Sequence, residues 1–380
     1  MERASHPLKV MQVITKGESG GAQTHLLALC LALAPRVRFV AAIGGASPRS
    51  MLGDELQTLG IPVCAVPQLG NSLSPLRTLA AVRALLCLVR EHRPDTLHAH
   101  SSVAGVVARI AGRIAGIPVI YTVHGFGFKP EIPRLQRWAA WMAEWTLARL
   151  TAHMVCVSSH EMQLARRLPI ARGRLSVIPN GVADTPERAQ PDHAPARIVM
   201  VARLARPKRP DLLLHALALL RARLGHEVPA SLIGSGPDMA AHRALARQLK
   251  LQAVDFTGDA DDVPKRLAQH GVFVLMSDHE GLPISVIEAM RAGLAIVASD
   301  LPGMRELIDD GTHGLLVANE AGALAEALLA LTAAPALRAR LGHAARQRYE
   351  ARFTPAPMAR AVETLYGQIA RHEPASDPAR

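Results

Sequence analysis

Two glutamates, one arginine and one lysine carry most of the chemistry that this sequence offers. Glu280 and Glu288 lie eight residues apart in EGLPISVIE, and Arg203 and Lys208 lie five residues apart in RLARPK. Pro283 suits the first turn of a helix, and that helix would hold Glu288. An arginine fork and a lysine ammonium suit a diphosphate, and carboxylates suit the hydroxyls of a ribose and of a second polyol. The pattern favours a nucleotide-sugar site, although glutamates at this spacing are also common on solvated helices.

Glycine-containing turns around these side chains form a second set of candidates. Gly281 permits close approach of the backbone, and the N–H groups of Leu282 and Ile284 would face a ligand at the start of the helix. Gly234 and Gly236 lie in another turn between a strand and a helix. We therefore expect backbone groups to contribute to binding a phosphorylated ligand.

The early loop GESGG, at residues 17–21, leaves three interpretations open. It does not fit the dinucleotide-binding pattern G-x-G-x-x-G, but it fits the nucleophile elbow G-x-S-x-G of hydrolases. An elbow normally follows several strands, whereas this loop follows the first one. A plain tight turn is the second interpretation, and the third, which we favour, is a loop at Gly20 and Gly21 that faces an anion or a substrate. His124, at the end of a predicted strand, is a further candidate, although a lone histidine is more often structural.

Short β-branched runs alternate with Ala- and Leu-rich segments along the chain. The pattern predicts strands at Val10–Thr15, Phe39–Ile43, Thr96–Ala99, Val119–Val123, Met154–Ser158, Ser176–Ile178, Ile198–Ala202, Ala230–Gly234, Val254–Thr257, Val272–Met276, Ala295–Ala298 and Leu315–Val317. Helices are predicted around Ala22–Ala34, Leu76–Glu91, Ser101–Ala115 and Leu135–Leu150, and others that begin near Arg209, Asp238, Asp262, Pro283 and Pro302. Two more follow, at Pro335–Ala351 and Pro355–Arg371. Such a series indicates an α/β fold with parallel sheets, here as two Rossmann-like domains in tandem that face a cleft.

The boundaries of these domains follow from a lapse in the pattern. Residues 186–196 are rich in Pro, Ala and charge, and we predict a linker there. The N-terminal domain is then 1–185, and the C-terminal domain is 197–352. A helix over 353–372 would pack back on the N-terminal domain, and 373–380 would form a tail.

Composition and charge narrow the class of protein. The chain has 380 residues, of which 49% are hydrophobic and 20% charged, as in an ordinary globular protein. Residues 1–190 hold 21 Lys and Arg against 11 Asp and Glu, whereas residues 191–380 hold 22 against 21. The basic half indicates an anionic partner, or an Arg-rich composition without one. The four cysteines are far apart, and no secretion signal or long apolar stretch is visible, so we expect a cytoplasmic protein without a disulfide framework or structural zinc.

One predicted helix carries all three tryptophans of the chain. Trp138, Trp141 and Trp145 form a stripe with flanking arginines, after a loop that holds Phe126 and Phe128. The stripe either packs under the sheet or touches lipid at the headgroup boundary. The second interpretation predicts peripheral attachment to an anionic inner-membrane surface, weakened by salt.

Taken in order along the chain, these motifs resemble the retaining glycosyltransferases of family four (glycosyl transferases group 1), which have the GT-B fold. The matching segments span nearly the full length: Gly20-Gly21, Thr122-Val123-His124-Gly125, Pro179-Asn180-Gly181-Val182, Arg203-Leu204 with Lys208, Gly234 with Gly236-Pro237, Glu280 with Glu288, and Ser299-Asp300-Leu301-Pro302-Gly303. Each motif is weak alone, but their joint order is specific.

The resemblance implies that the N-terminal domain is on the acceptor side and that the C-terminal domain binds the nucleotide sugar. It also implies roles for the candidate residues. Arg203 and Lys208 would bind the donor diphosphate and stabilise the leaving group. Glu280 would contact hydroxyls of the transferred sugar, and Glu288 would hold the ribose. His124 would line the donor-sugar pocket, and the early glycine loop would pass close to the phosphate and the acceptor. The residues that share a place in donor binding are Gly20, Gly21, Gly234, Gly281, Leu282, Pro283, Ile284 and Glu288.

The same resemblance implies an enzyme that needs no cofactor and no bound metal. It would move a sugar, with retention, from a nucleoside-diphosphate sugar to a glycan or lipid-linked glycan in bacterial exopolysaccharide, capsule or lipopolysaccharide synthesis, with no nucleic-acid partner. A UDP-hexose or UDP-N-acetylhexosamine is the default donor. The alternatives are a nucleotide-sugar-binding regulator without turnover, and a phosphorylase or epimerase on the same fold.

Several positions depart from the family pattern. Ala202 and Arg209 stand where glycines are usual, Ala183 replaces a frequent acidic residue, and Gln23 stands where many members carry Glu. In addition, Asp259-Ala260-Asp261 matches the D-x-D motif of metal-dependent transferases of another fold. We interpret that motif as a solvated cap before a short helix.

Overall fold

The computed structural model describes residues 7–18, 20–70, 74–129, 133–193 and 196–371. The chain divides into two compact units, Met1–Gly181 with Pro355–Arg380, and Val182–Thr354. Each unit is built on a parallel β-sheet, so the predicted class of two α/β domains in tandem is confirmed. Parts of some predicted features lie outside the described residues: Ser19 of the early loop, residues 194–195 of the linker, and the chain from 372 onward.

Strands and helices alternate through both units. The strands are β1 (Lys9–Ile14), β2 (Arg38–Gly44), β3 (Val63–Val66), β4 (Thr96–Ala99), β5 (Val119–Val123), β6 (His153–Cys156), β7 (Leu175–Val177), β8 (Ile198–Val201), β9 (Ala230–Ile233), β10 (Val254–Gly258), β11 (Val272–Leu275), β12 (Ala295–Ser299) and β13 (Leu315–Val317). The helices are α1 (Gly21–Leu33), α2 (Met51–Thr58), α3 (Pro75–His92), α4 (Ser102–Ala115), α5 (Arg134–Leu147), α6 (Ser159–Ala165), α7 (Pro210–Leu224), α8 (Met239–Gln248), α9 (Val263–Ala268), α10 (Ile284–Ala292), α11 (Pro302–Leu307), α12 (Ala321–Ala333), α13 (Pro335–Arg352) and α14 (Pro355–Arg371).

Both sheets contain a point where the order of the strands reverses. In the described residues the first sheet has the order β3-β2-β1-β4-β5-β6-β7 and the second the order β10-β9-β8-β11-β12-β13. The reversal falls between β1 and β4 in the first unit and between β8 and β11 in the second. Ligands of open parallel sheets bind beyond the carboxyl ends of the strands at such a point, because the two loops there diverge and leave a crevice.

The first sheet is covered on both faces. Alternate residues of a strand point to opposite faces, so Met11 and Val13 pack with α3 and α4, whereas Val10 and Ile14 pack with α1 and α2. The last helix, α14, returns to this second layer and buries an apolar face in it. The buried members of that face are Met358, Ala359, Val362, Leu365 and Tyr366.

The tryptophan stripe is divided by the fold. Trp141 and Trp145 are partly buried and pack against the core layer of α3 and α4. Trp138 is 60% exposed and Leu135 is 79% exposed on the same helix, α5. Part of the stripe is therefore core, and its N-terminal end is an apolar surface.

The loop after β5 is a buried segment of the first unit. Phe126 and Phe128 are both buried, with ring centroids 4.6 Å apart. Lys129 Nζ lies 2.5 Å from Glu161 Oε1, and the other carboxylate oxygen of Glu161 accepts from the Phe126 N–H at 3.0 Å. These two aromatics therefore belong to the core of the first unit.

The segment predicted as a linker, 186–196, belongs to the second unit. The Ala189 N–H donates to the Ala292 carbonyl at 2.8 Å, and the Arg338 guanidinium donates to the Pro191 carbonyl at 2.5 Å. These hydrogen bonds use backbone groups of the segment, which every residue carries, so a Pro- and charge-rich composition does not reveal them.

Four elements were not predicted from the sequence pattern. They are α2, β3, α6 and α12. The first three are short, and β3 is an edge strand of which only Val66 is fully buried. Helix α12, AGALAEALLALTA, is apolar over most of its circumference, so it lacks the polar face by which an amphipathic helix is recognised.

No single helix within the described ranges is long and apolar enough to cross a membrane. Only Ala321–Ala333 taken together with Pro335–Ala370, a pair bent by 104°, reaches such a length and apolarity.

Candidate functional site

The loops after β8 and β11, at the strand reversal of the second unit, are bonded to each other. The Arg209 N–H donates to the Met276 carbonyl at 2.9 Å, and the Asp278 N–H donates to the Pro207 carbonyl at 2.8 Å. Lys208 and Ser277 form an isolated antiparallel bridge. The two loops thus form one backbone platform beyond the carboxyl ends of the strands.

Lys208 and Glu280 meet on this platform. The Lys208 ammonium donates to a carboxylate oxygen of Glu280, and the two side chains are only 18% and 10% exposed. Arg203, at the end of β8, is exposed on the same loop. Because Lys208 is partly buried, less water screens its charge, and its interaction with a bound anion is stronger than that of a fully exposed lysine.

Asp278, on the same loop as Glu280, forms ion pairs with two further cations. It accepts from Arg206 and, at 3.1 Å, from Arg209. Arg209 is also paired with Asp211 at 2.7 Å, and the two carboxylates, Asp211 first, raise the pKa of its guanidinium. Arg209 occupies a position where the family usually has glycine, and it here ties α7 to the β11 loop.

Glycines let the β9–α8 loop approach the loop after β8. Gly234 has φ +123°, and a Cβ at this position would overlap the Ala202 carbonyl oxygen. A Cβ at Gly236 would likewise overlap the Leu204 carbonyl oxygen. Both positions therefore require glycine. The close approach also brings the N terminus of α8 next to the segment that holds Arg203.

The D-x-D motif has a structural role here. Asp259 accepts from the Ser235 N–H at 2.9 Å and from the Ser235 hydroxyl at 2.5 Å, so it braces the β9–α8 loop. Asp262, the next acidic residue, is the N-cap residue of α9 and accepts from Arg266 at 2.6 Å. Asp262 therefore stands at the N-cap position, but its carboxylate is paired with Arg266 and makes no capping hydrogen bond to the first turn of α9.

A small hydrogen-bond network fixes the start of the Glu280 loop. The Ser277 N–H donates to the Ser299 hydroxyl at 2.8 Å, and that hydroxyl donates to Asn319 Oδ1 at 2.6 Å. Asn319 closes the network by donating to the Ser277 carbonyl at 2.7 Å. The ends of β11 and β12 are therefore joined directly below the loop.

Helix α10 begins immediately after the Glu280 loop. Pro283 is its N-cap residue and Ile284 its first residue, so the free N–H groups of the first turn lie at the platform. Gly281 and Leu282 are buried. Glu288, one turn into the helix, is half-buried, and burial raises the pKa of its carboxyl group.

Gly303 lets α11 pack against this loop. A Cβ on Gly303 would overlap the Gly281 carbonyl oxygen. The segment Ser299–Gly303, one of the family-like motifs, therefore packs against the Glu280 loop.

The remaining candidates lie at the strand reversal of the first unit. Gly20 is the N-cap residue of α1 and Gly21 begins the helix. The Gly20 carbonyl accepts from the Thr24 N–H at 3.0 Å, and Gln23 donates to the Lys16 carbonyl at 3.0 Å. Gln23 thus closes the loop through its amide, although the family often has Glu there. The nucleophile-elbow interpretation depends on Ser19, which lies outside the described residues.

His124 belongs to a cluster of histidines that sequence reasoning missed. Its ring centroid lies 4.9 Å from that of His25 on α1 and 5.9 Å from that of His100 after β4. The His98 and His100 centroids are 4.1 Å apart. Burial lowers the pKa of every ring in the cluster, to about 4 for His25, and the neighbouring rings lower the pKa of His98, His100 and His124 further.

A buried network orients this cluster. Gln12 Nε2 donates to the Tyr366 hydroxyl at 3.1 Å, and that hydroxyl is 2.7 Å from His98 Nδ1. His98 Nε2 is 2.7 Å from the Thr122 hydroxyl. The sequence signal was the pair His98-x-His100 at a strand end, since residues two apart lie on one face of a strand. The partner on α14 could not be found from local pattern.

Two models of known protein families match this chain. A family model described as glycosyl transferases group 1 matches residues 183–348, and one described as glycosyl transferase 4-like domain matches residues 20–181. The phosphatidyl-myo-inositol mannosyltransferase of Mycobacterium tuberculosis is 31% identical over 378 residues, which cover 94% of this chain and 96% of that protein.

This chain belongs to the group 1 glycosyltransferases. The resemblance predicted from the ordered motifs is therefore confirmed.

Further comparisons agree with this assignment. The UDP-Gal:alpha-D-GlcNAc-diphosphoundecaprenol alpha-1,3-galactosyltransferase of Escherichia coli is 28% identical over 290 residues, covering 70% of this chain and 74% of that protein. The crystal structure of Anabaena HepE in complex with UDP and glucose has a TM-score of 0.81 at 20% identity and covers 95% of this chain and 100% of HepE. The glycosyltransferase described here has the GT-B fold of such structures.

The packing of α11 on the Glu280 loop generates a prediction about stability. We expect Gly303→Ala to destabilise the glycosyltransferase by about 1–3 kcal/mol, because the added methyl overlaps the Gly281 carbonyl. Gly322→Ala is the matched control, since Gly322 is an exposed helical glycine of the same unit with open space around its Cβ position. The control should be neutral or more stable by about 0.5–1 kcal/mol. Urea unfolding followed by circular dichroism measures both, and equal stabilities for the two variants would contradict the close approach.

Proposed function

We propose that this chain is a retaining glycosyltransferase that moves a sugar from a nucleoside-diphosphate sugar to a glycan or lipid-linked glycan. The pathway proposed is bacterial cell-surface polysaccharide synthesis. The observation that carries the proposal is the half-buried Lys208–Glu280 pair on the platform at the strand reversal of the second unit, beside the start of α10.

The donor diphosphate is assigned to the cationic end of this platform. Arg203 is exposed there and can meet an anion with a planar fork, while Lys208 supplies a point charge already oriented by Glu280. The first N–H groups of α10, from Ile284 onward, add the positive end of the helix dipole. Together these groups place positive charge where a diphosphate can bind.

The sugar and ribose hydroxyls are assigned to carboxylates and backbone. Glu280, next to Gly281 and Leu282, receives hydroxyls of the transferred sugar. Glu288 receives the ribose diol, whose hydroxyls would replace the solvation that burial removes from this carboxyl group. In the first unit, His124 is proposed to serve the donor sugar, and the loop before α1 to serve the phosphate and the acceptor.

The relatives support both substrate classes. The Escherichia coli relative is named for UDP-Gal and for a diphosphoundecaprenol-linked acceptor, and the mycobacterial relative for a phosphatidyl-myo-inositol acceptor. HepE structures were solved with UDP and with UDP-glucose. We therefore propose a UDP-hexose or UDP-N-acetylhexosamine as the donor to test first.

The proposed reaction breaks the bond between the anomeric carbon and the diphosphate oxygen. The electron pair leaves with the diphosphate, where Arg203 and Lys208 stabilise the added charge. The acceptor hydroxyl oxygen forms the new bond on the same face of the sugar, and its proton passes to the departing phosphate oxygen. Attack from that face retains the configuration of the anomeric carbon. Glu280 is paired with Lys208 and is assigned to hydroxyl binding, so we do not assign it as a covalent nucleophile.

One experiment separates this proposal from its alternatives. The purified protein is incubated with a panel of nucleotide sugars and glycan acceptors, and nucleoside diphosphate release and the product are followed by NMR. Transfer gives release together with a product of retained configuration. Binding without release would indicate a regulator, release of a sugar phosphate that requires inorganic phosphate a phosphorylase, and isomerised sugar an epimerase.

The cationic end of the platform generates a prediction about turnover. Arg203→Ala and Lys208→Ala should each lower turnover by about 10²-fold or more, because each removes a group that stabilises the leaving diphosphate. Lys265→Ala is the control, since Lys265 is an exposed lysine of the same unit on α9. Near-normal turnover in a folded Lys208→Ala protein would remove Lys208 from the mechanism, whatever the control shows.

The positive charge that protein groups supply at the platform leads to a second prediction about the reaction, which concerns metal ions. Transfer should continue in excess EDTA, because Arg203, Lys208 and the start of α10 supply the positive charge that a metal would otherwise supply. Rates are compared before and after chelation, and again after Mg²⁺ or Mn²⁺ is added back. Loss of activity that either metal restores would contradict metal-independent transfer.

A lipid-linked acceptor is supported by a surface pocket at α5. The pocket has a volume of about 650 Å³ and combines apolar and cationic side chains. Its lining residues are Phe128, Leu135, Trp138, Trp141, Arg134, Arg137 and Arg167. Indole rings and arginines together suit the boundary between lipid headgroups and acyl chains. We therefore propose peripheral attachment to an anionic membrane surface through this part of the first unit.

This surface generates a prediction about vesicle binding. The protein should pellet with anionic vesicles at low salt and be released at high salt. The double variant Leu135→Ser with Trp138→Ser should bind at least about tenfold more weakly, because it removes the exposed apolar end of the stripe. Leu219→Ser, at an apolar residue 45% exposed in the second unit, is the control. Equal and negligible pelleting with anionic and neutral vesicles would refute attachment.

A further inference from the structure

Three histidines of the first unit converge from separate elements. His25 lies on α1, His100 follows β4, and His124 follows β5. One ring nitrogen from each lies within 4.8 Å of the others. Such a set matches the three-histidine donor set of zinc sites that keep a fourth position open. We propose that His25, His100 and His124 form a binding site for a divalent transition metal ion, with Zn²⁺ the ion to test.

Unpartnered nitrogens point to a ligand between the rings. Nδ1 of His100 and Nε2 of His124 are buried and have no hydrogen-bond partner in the part of the chain that the structure describes. A buried polar atom without a partner costs about 1–3 kcal/mol, so a group that satisfies both nitrogens at once stabilises the cluster. A metal ion accepts both lone pairs and the His25 lone pair as well.

The hydrogen bonds around His100 leave its free nitrogen unprotonated. Gln12 Nε2 donates to the Tyr366 hydroxyl oxygen, which also lies 2.7 Å from His98 Nδ1. The oxygen of the same Gln12 amide, Oε1, faces His100 Nε2 at 2.7 Å, so His100 donates its proton there. His100 Nδ1 therefore presents a lone pair to the cluster. Metal-binding histidines are oriented in this way, by a second hydrogen bond to a carbonyl oxygen.

His25 has a comparable supporting residue. Asn180 is buried beside its ring, and their interaction acts against the desolvation that lowers the His25 pKa. His124 is half-buried, whereas His25 and His100 are almost fully buried. The cluster is therefore buried at His25 and His100 and partly exposed at His124, the side from which we expect an ion and a completing water molecule to enter.

The electrostatic state of the rings suits a cation. Burial disfavours the charged form of all three rings and lowers the pKa of each, and for His100 and His124 the neighbouring histidines act in the same direction. Neutral imidazole binds Zn²⁺, Co²⁺, Ni²⁺ and Cu²⁺, whereas Mg²⁺ and Ca²⁺ prefer oxygen ligands. Zinc–nitrogen bonds of about 2.0–2.1 Å place tetrahedral ligands about 3.4 Å apart, so the rings need to close by at most about 1.4 Å.

The test uses the full-length, tag-free protein after treatment with EDTA and dialysis. Co²⁺ is titrated first, because a tetrahedral Co²⁺ centre has visible absorption bands that octahedral, solvent-exposed Co²⁺ lacks. Zn²⁺ binding is then measured by calorimetry. We expect one Co²⁺ per chain with tetrahedral bands, displacement of that Co²⁺ by Zn²⁺, and a higher melting temperature in the presence of Zn²⁺.

Variants assign the binding to the cluster. His25→Gln and His100→Gln should each weaken Zn²⁺ binding by about 10²-fold or more, and Gln12→Met by about 10–100-fold through the lost hydrogen bond to His100. His226→Gln, at an exposed histidine of the second unit, should bind as the parent protein does. Circular dichroism establishes which variants fold.

Two outcomes would overturn the proposal. One is unchanged affinity in folded His25→Gln and His100→Gln proteins. The other, which needs no variant, is the absence of tetrahedral Co²⁺ bands in the parent protein; the free nitrogens would then be satisfied by water. Because His124 is also assigned to the donor sugar, an ion held there would compete with that role, and it is not part of the proposed metal-independent transfer. Both readouts measure ion binding and not sugar transfer, so either result leaves the enzymatic function to its own experiment.

Discussion

Parallel pairing of β8 with β11 is the constraint on which the candidate donor site depends. These two strands are neighbours in the sheet, although their paired residues, such as Ile198 and Val272, lie 74 positions apart in the chain. Their carboxyl ends therefore meet at one edge, and the chain departs from them in opposite directions. Arg203, Lys208 and Glu280 lie on the two loops at this edge because of that pairing. A cation pair and a carboxylate so far apart in sequence share a surface only in this topology.

The loops are held there mainly by their backbones. Hydrogen bonds join the two loops, and the positions at Gly234, Gly236 and Gly303 allow neighbouring carbonyls to approach where any Cβ would collide. Because the backbone platform is fixed, the side chains need little rearrangement to meet charge that develops on a ligand, which is the arrangement that electrostatic stabilisation requires. The fold tolerates Arg209 at a position where the family usually has glycine, because two aspartates neutralise its charge.

The first unit also has a strand reversal, but the side chains at that point are of a different chemical type. At its strand reversal it gathers neutral, buried imidazoles and not exposed cations. The Tyr366 hydroxyl, from the far end of the chain, is part of the network that orients them. Helix α14 therefore contributes both apolar area and a polar anchor to the first unit, so its loss should disturb the histidine cluster as well as the core.

The sequence by itself determined the alternation of strands and helices, the two-domain α/β class and the glutamate, arginine and lysine motifs. These features are encoded locally, because hydrophobic period, helix caps and turn residues act over a few neighbouring positions. Tertiary structure decided which distant residues meet. It paired Lys208 with Glu280, divided the tryptophan stripe, bound the predicted linker to the second unit, and brought His25, His100 and His124 together. Such contacts depend on strand order and register, and no short window of sequence contains them.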